Sequence, residues 1–293
     1  MNYVIKNEYY TATVNGVGAE LISVVTAGGR EVMWQSPSED FWGKHAPLLF
    51  PVCGRVKDQK YTYRGVSYDM KKHGFIGGET FELVEKGDSY VILRSVAKEE
   101  TLAIYPFEYS FTAKYALEGK RVVCTVTVEN NDRKVMPYMF GWHPAFALFC
   151  DGGAEIEDYV LDFDGKSMLK QVPLQQDPFD PAVRNDFALD CGRYTLCEAE
   201  IYANDTLIFE NAPTRVTLLS KKSDYKLALE WSDNTPDLCV WKFPSHDARY
   251  ICIEPWSNLP SRGNDEENFD TRDMQRLASG ESATHTLAFE FSI

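Results

Sequence analysis

No stretch of this 293-residue chain approaches the ~18 continuous apolar residues that a bilayer-spanning helix needs. Its opening, Met1-Asn2-Tyr3-Val4-Ile5-Lys6-Asn7-Glu8, lacks the basic start and the ~7–15-residue apolar run of a secretory signal. Insertion into a membrane is not expected, and the cytoplasm is the expected compartment. Positive charge is also in short supply: 30 Lys and Arg face 44 Asp and Glu, for a net charge of −14. Such a surface repels phosphate backbones and anionic lipid, so neither nucleic acid nor a membrane is an expected partner. Cysteines 53, 124, 150, 191, 197, 239 and 252 form an odd set without a CxxC pair. Most lie in apolar strand-like runs, and the set reads as buried thiols in a reducing compartment rather than disulfides or metal ligands.

Several catalytic signatures are missing as well. There is no GxSxG elbow, no GxxxxGK[ST] loop, no GxGxxG after an opening strand and no HExxH pair, which removes support for serine-hydrolase, nucleotide and zinc-protease chemistry. No fixed-period repeat and no Pro/Ser/Gly linker divides the chain, so residues 1–293 are expected to form a single domain. The Asp-, Pro- and Gln-rich stretch 174–190 is expected to be a long surface loop. Helical periodicity is nearly absent, with Asp270 to Leu277 the best short candidate.

What the chain does have is alternation. Arg121 to Glu129 places Val122, Cys124, Val126 and Val128 on one face, and the C-terminal run places Leu287, Phe289, Phe291 and Ile293 on one face, as half-buried strands require. Similar runs cover Thr80 to Val84, Tyr90 to Val96, Phe107 to Leu117, Thr206 to Phe209, Arg215 to Leu219, Lys226 to Trp231, Leu238 to Phe243 and Tyr250 to Glu254. Turn signals such as Glu118-Gly119-Lys120 separate them. Short strands at this spacing, without helices to join them, predict an all-β fold built as a large antiparallel β-sandwich.

Five histidines are the scarcest ionisable groups. His73 sits in the glycine-rich Lys72-His73-Gly74-Phe75-Ile76-Gly77-Gly78, either as a surface loop residue or where backbone approaches a ligand. His143, in Phe140-Gly141-Trp142-His143-Pro144, reads as a core histidine or as a functional one held between aromatic walls. Glu254 ends the apolar Tyr250-Ile251-Cys252-Ile253 and precedes Pro255-Trp256. It is either a strand-end charge in water or a carboxyl desolvated against a ring, with its pKa raised. Asp205 is a turn residue or a hydroxyl partner, and Arg55 a snorkelling side chain or a fixed donor fork. The histidines lie far apart in sequence, so spacing supplies no metal-ligand pair.

In chain order the segments Leu48-Leu49-Phe50-Pro51-Val52-Cys53-Gly54-Arg55, Tyr61-Thr62-Tyr63-Arg64-Gly65-Val66-Ser67-Tyr68, His73-Gly74-Phe75, Gly141-Trp142-His143-Pro144-Ala145-Phe146, Asn204-Asp205-Thr206-Leu207-Ile208-Phe209 and Cys252-Ile253-Glu254-Pro255-Trp256 resemble the aldose 1-epimerase family, in particular its LacX-like branch, over essentially the whole chain. The resemblance implies a galactose mutarotase-like supersandwich. It also implies Glu254 as general base, His143 as general acid, and His73, Arg55 and Asp205 as substrate-binding residues. The chain departs from the pattern at Gly54-Arg55-Val56-Lys57-Asp58-Gln59-Lys60-Tyr61, where galactose mutarotases carry a second arginine in an asparagine-arginine pair, so a different hydroxyl pattern is expected.

The implied reaction needs one base and one acid. A proton leaves the C1 hydroxyl, another reaches the ring oxygen, C1–O5 opens, and the aldehyde turns before reclosing. Neither cofactor nor metal is called for. Trp142, Trp256 and Trp241 are candidates to stack on a pyranose. Three rivals stand beside this reading. A non-catalytic carbohydrate-binding sandwich would have no use for the acid and base. A glycoside hydrolase using Asp205 and Glu254, with carboxyls ~5–10 Å apart, would leave the histidines unexplained. A hexose-6-phosphate mutarotase would want basic residues at the rim, against which the overall acidity counts. The expected partner is a small-molecule sugar; whether the chain forms a homodimer is left open.

Overall fold

The computed structural model describes residues 1–149, 154–174, 182–260 and 267–292. Among them, two large antiparallel sheets carry most of the strands. The larger has nine strands in the order Arg193–Thr195, Tyr159–Asp162, Arg215–Ser220, Lys226–Trp231, Ser282–Ser292, Arg121–Asn130, Tyr109–Glu118, Tyr90–Val96 and Glu82–Lys86. The other runs Asn185–Ala188, Met168–Gln171, Leu207–Glu210, Asp237–Trp241, Tyr250–Trp256, Gly141–Trp142 and Leu48–Leu49, with Ala145–Ala147 also pairing Tyr250–Trp256.

Period-two patterning accounts for the layers. In Arg121–Asn130 the predicted Val122, Cys124, Val126 and Val128 are all buried, and Leu287, Phe289 and Phe291 bury the same face of the neighbouring strand Ser282–Ser292; Ile293 lies outside the described residues. Apolar side chains of the two large sheets then share one interior, seen directly where Phe146 meets Phe289 edge to face at 5.3 Å. This arrangement is the all-β sandwich that alternation predicts.

Three expectations need correction, and one sheet was not foreseen. Asp270 to Leu277 is not helical: it is a turn followed by the strand Gln275–Leu277, paired with Met136–Tyr138. The Arg276 guanidinium donates to the carbonyls of Phe269, Asp270 and Arg272 at 3.0–3.1 Å, and the Asp270 amide donates to Asn268 Oδ1 at 2.9 Å. Those bonds satisfy groups that a helix would otherwise have to pair. Within 174–190, Asn185–Ala188 forms an edge strand rather than loop, while 175–181 lies outside the described residues. Three strands, Asn2–Lys6, Tyr10–Asn15 and Leu21–Thr26, form an N-terminal sheet that the reading above did not assign. Finally, Cys53, Cys124, Cys239 and Cys252 are buried free thiols, but Cys191 is exposed and Cys197 half-buried; Cys150 lies outside the described residues.

Candidate active site

The central strand of the smaller large sheet, Tyr250–Trp256, is buried along its entire length. Its alternation separates two roles. Ile251 and Ile253 belong to the inter-sheet core, whereas Tyr250 and Cys252 pack with Trp34, Trp42, Trp241 and Phe243, and Glu254 and Trp256 face a cavity. Register carries the same face across the sheet, because Cys239 lies opposite Glu254 and Trp241 opposite Cys252. Ile208 continues that face from the next strand, opposite Cys239, and also lines the cavity. The cavity holds about 970 Å³, near the top of the ~300–1,000 Å³ common for small-molecule sites.

Glu254 forms part of the floor with its side chain 2% exposed, and its Oε1 stands 3.4 Å from Nε2 of His143, itself 8% exposed. The His143 backbone amide donates to Pro47 at 3.1 Å, which fixes the loop crossing above the strand. Trp42 stacks flat on the imidazole, with centroids 4.8 Å apart and planes at 25°, and Trp241 meets it edge-on at 5.6 Å. Among the described residues, Glu254 Oε2 and His143 Nδ1 have no hydrogen-bond partner. Burial pushes the Glu254 carboxyl well above the usual carboxylate range, partly offset by the Lys72 ammonium, and burial together with Lys72 lowers His143 to about 3. Both groups are thus held towards their neutral forms by desolvation.

His73 faces the same space, its ring 5.4 Å from that of His143 and 6.0 Å from Trp256. It is pinned to Gly54 twice: its amide donates to the Gly54 carbonyl at 2.9 Å, and Nδ1 accepts from the Gly54 amide at 3.1 Å. With Nδ1 used as an acceptor, the neutral ring carries its proton on Nε2 and can donate it to an oxygen. Burial first, then His143 and Lys72, keep this histidine well below its ordinary pKa. The following residue must be glycine. At φ +76° a Cβ on Gly74 would stand 2.0 Å from the Phe50 carbonyl oxygen, so any side chain would push the histidine loop off the Phe50 backbone, with which Gly74 forms a parallel bridge. Gly141 has a similar effect on the floor, since a Cβ there would meet the Trp256 ring at 2.6 Å.

Arg55 and Asp205 come together at the rim, Nη2 to Oδ2 3.2 Å, with side chains 71% and 44% exposed. Both line the cavity. An ion pair this exposed contributes little to stability but leaves a guanidinium and a carboxylate side by side for hydroxyls. Asp205 takes a positive φ of 61° just after the short helix Glu198–Ala203.

Trp142 is misplaced in the sequence-based set. It does not line the cavity; it packs on Phe140 at 4.6 Å and approaches His285 of the nine-stranded sheet at 6.4 Å. Successive residues of an extended chain point to opposite faces, so putting His143 in the cavity sends Trp142 into the core. Trp42, which sequence reasoning passed over, supplies the stacking surface instead. The only signal for it was an aromatic pair, Phe41-Trp42, in an otherwise polar segment. A grouping invisible in sequence spacing also emerges: ligand atoms of His143, Cys252 and Glu254 lie within 4.8 Å of one another. The Cys252 thiol is held well above its usual pKa by burial and by Glu254, so it offers sulfur in its weakly ligating protonated form.

The sequence profile of the aldose 1-epimerase family matches residues 1–290. The chain belongs to the aldose 1-epimerase family. Among its relatives, the chromosomal protein LacX of Lactococcus lactis is 31% identical over 273 residues, covering 88% of each chain. Two solved structures share the fold closely. A galactose mutarotase related enzyme from Lactobacillus acidophilus superposes with a TM-score of 0.92 at 28% identity, covering 100% of this chain and 98% of that one. A galactose mutarotase-like protein from Lactobacillus casei gives 0.89 at 29% identity, covering 100% of both. The fold of this aldose 1-epimerase family member is therefore galactose mutarotase-like.

Proposed function

We propose that the chain is an aldose 1-epimerase that interconverts the α and β anomers of an aldohexose, working as one domain in the cytoplasm. The observation that carries this reading is the 3.4 Å approach of His143 Nε2 to Glu254 Oε1 on the floor of a cavity lined by Trp42, Trp241 and Trp256. Glu254 takes the proton of the C1 hydroxyl and His143 gives one to the ring oxygen. C1–O5 then opens, the C1–C2 bond turns, and reclosure on the other face returns both protons. The reactive arrangement, carboxylate and imidazolium, contains one proton in all. So does the neutral pair that burial favours, and hydrogen bonds from the sugar to each group favour the charged arrangement. His73 Nε2–H, Arg55 and Asp205 hold hydroxyls, and the tryptophans stack on the apolar face of the ring.

Electron and proton balance require no redox partner and no phosphoryl donor, and the two side chains supply both proton transfers. Polarimetry of freshly dissolved glucose and galactose, before and after exhaustive EDTA treatment, tests the proposal. A faster approach to the equilibrium rotation in both cases is expected. No acceleration for any aldose would leave a carbohydrate-binding sandwich, and loss on EDTA with recovery on zinc would place a metal on His143, Cys252 and Glu254.

A further inference from the structure

Building on the mutarotase reading, we propose that the cavity takes an aldose bearing an oxyanion, with the ammonium groups of Lys57 and Lys72 as its counter-charges. In a chain of net charge −14, the lining of this cavity gathers Lys44, Arg55, Lys57 and Lys72. Two are already neutralised: Arg55 by Asp205 at 3.2 Å and Lys44 by Glu20 at 3.6 Å. Among the described residues, the side chains of Lys57 and Lys72 have no ion-pair or hydrogen-bond partner. The lining carboxylates do not cancel them. Asp205 is taken by Arg55, Glu254 is buried and held towards its neutral form, and Asp58, exposed beside Lys57, offsets one of the two charges at most, which leaves the lining net positive. An acidic surface that turns basic at the mouth of one cavity draws anions to that mouth.

Lys72 also affects the chemistry. Its charge is close enough to oppose protonation of both His143 and His73. With a neutral sugar bound, the ammonium works against the imidazolium that the reaction needs. An oxyanion paired with Lys72 removes that penalty, so an anionic substrate should gain in kcat as well as in KM. Because the C1 hydroxyl must be free for ring opening, the oxyanion belongs elsewhere on the sugar, as a phosphate monoester or a carboxylate.

The test compares kcat/KM, above each sugar's own uncatalysed rate, for glucose and galactose, their 6-phosphates, and glucuronate and galacturonate. At least one anionic aldose should exceed its neutral parent by roughly tenfold or more, the scale of one charge-assisted hydrogen bond. That ratio should shrink between about 20 mM and about 500 mM sodium chloride and fall towards one in a Lys57→Gln/Lys72→Gln double variant. A preference for the phosphates over the uronates identifies a phosphate monoester; equal preference identifies charge alone. Neutral sugars turned over as well as, or better than, both anionic series would overturn the proposal and leave the mutarotase reading intact. If no sugar is turned over, the mutarotase reading fails, and calorimetry decides the anion question separately: tighter binding of the 6-phosphate than of the parent hexose supports it, and no difference overturns it.

Discussion

Nε2 of His143 lies 3.4 Å from Oε1 of Glu254, although 111 positions of sequence separate them. One comes from a loop hung on Pro47 and the other from the central strand of a sheet, so the sandwich itself makes the pair. Both groups are buried, and burial holds each of them towards its neutral form.

Replacing His143 by Asn removes the proposed acid while keeping a polar side chain of similar reach. Turnover should drop by ~10²- to 10⁴-fold, the usual contribution of a positioned acid or base, with a circular-dichroism melt within about 5 °C of wild type. A variant that melts far lower yet keeps its rate per folded molecule would make His143 a packing residue.

The pH dependence follows from the shared proton. The dyad gains a second proton only near the lowered value of His143, about 3, and loses its last one near the raised value of Glu254. Activity should therefore stay level below the raised value of Glu254 down past pH 5 and decline as pH rises through that value, unlike an independent histidine acid, which fades above ~6.5. Stability has the matching sign. A carboxyl whose folded pKa is raised contributes stability below its unfolded value of ~4.3, and that contribution is lost as pH rises through the folded value. Thermal melts of Glu254→Gln, which cannot ionise, should gain on wild type as pH rises. A constant difference from pH 4 to 9 would show that Glu254 is not desolvated as described.

Trp42 and Trp142 should fail differently. Trp42→Ala removes the ring stacked on His143 at 4.8 Å and should raise KM and lower kcat, together on the order of 10-fold or more, with little change in melting. Trp142→Ala opens a hole in the inter-sheet core and should cost about 3–5 kcal/mol, leaving the rate per folded molecule close to wild type. Reversed phenotypes would mean that the two rings had exchanged roles.

Much of this was legible from residues alone. Tyr90–Val96 and Lys226–Trp231 appear with the bounds that alternation predicts, because each buries one face and wets the other. Glu254 stood out as a carboxylate at the end of an apolar strand, and the structure shows why: the strand's cavity face is closed over by aromatic rings. Less local features were hidden. The N-terminal strand Tyr10–Asn15 also alternates, burying Tyr10, Ala12 and Val14, but its weak apolar contrast gave little signal. Asp270 to Leu277 misled because side-chain bonds from Arg276 decide its path. The lysines of the rim were masked by the acidity of the whole chain, which says nothing of where individual charges gather.

The most direct measurement is the turnover of Glu254→Gln, followed by polarimetry or by magnetisation exchange between the anomeric protons. Glutamine keeps the shape of the side chain and removes the proton acceptor, so kcat should fall by ~10²- to 10⁴-fold with sugar affinity nearly unchanged. Wild-type kcat in this variant across pH 5 to 8 would contradict the account and make Asp205 the next carboxylate to test.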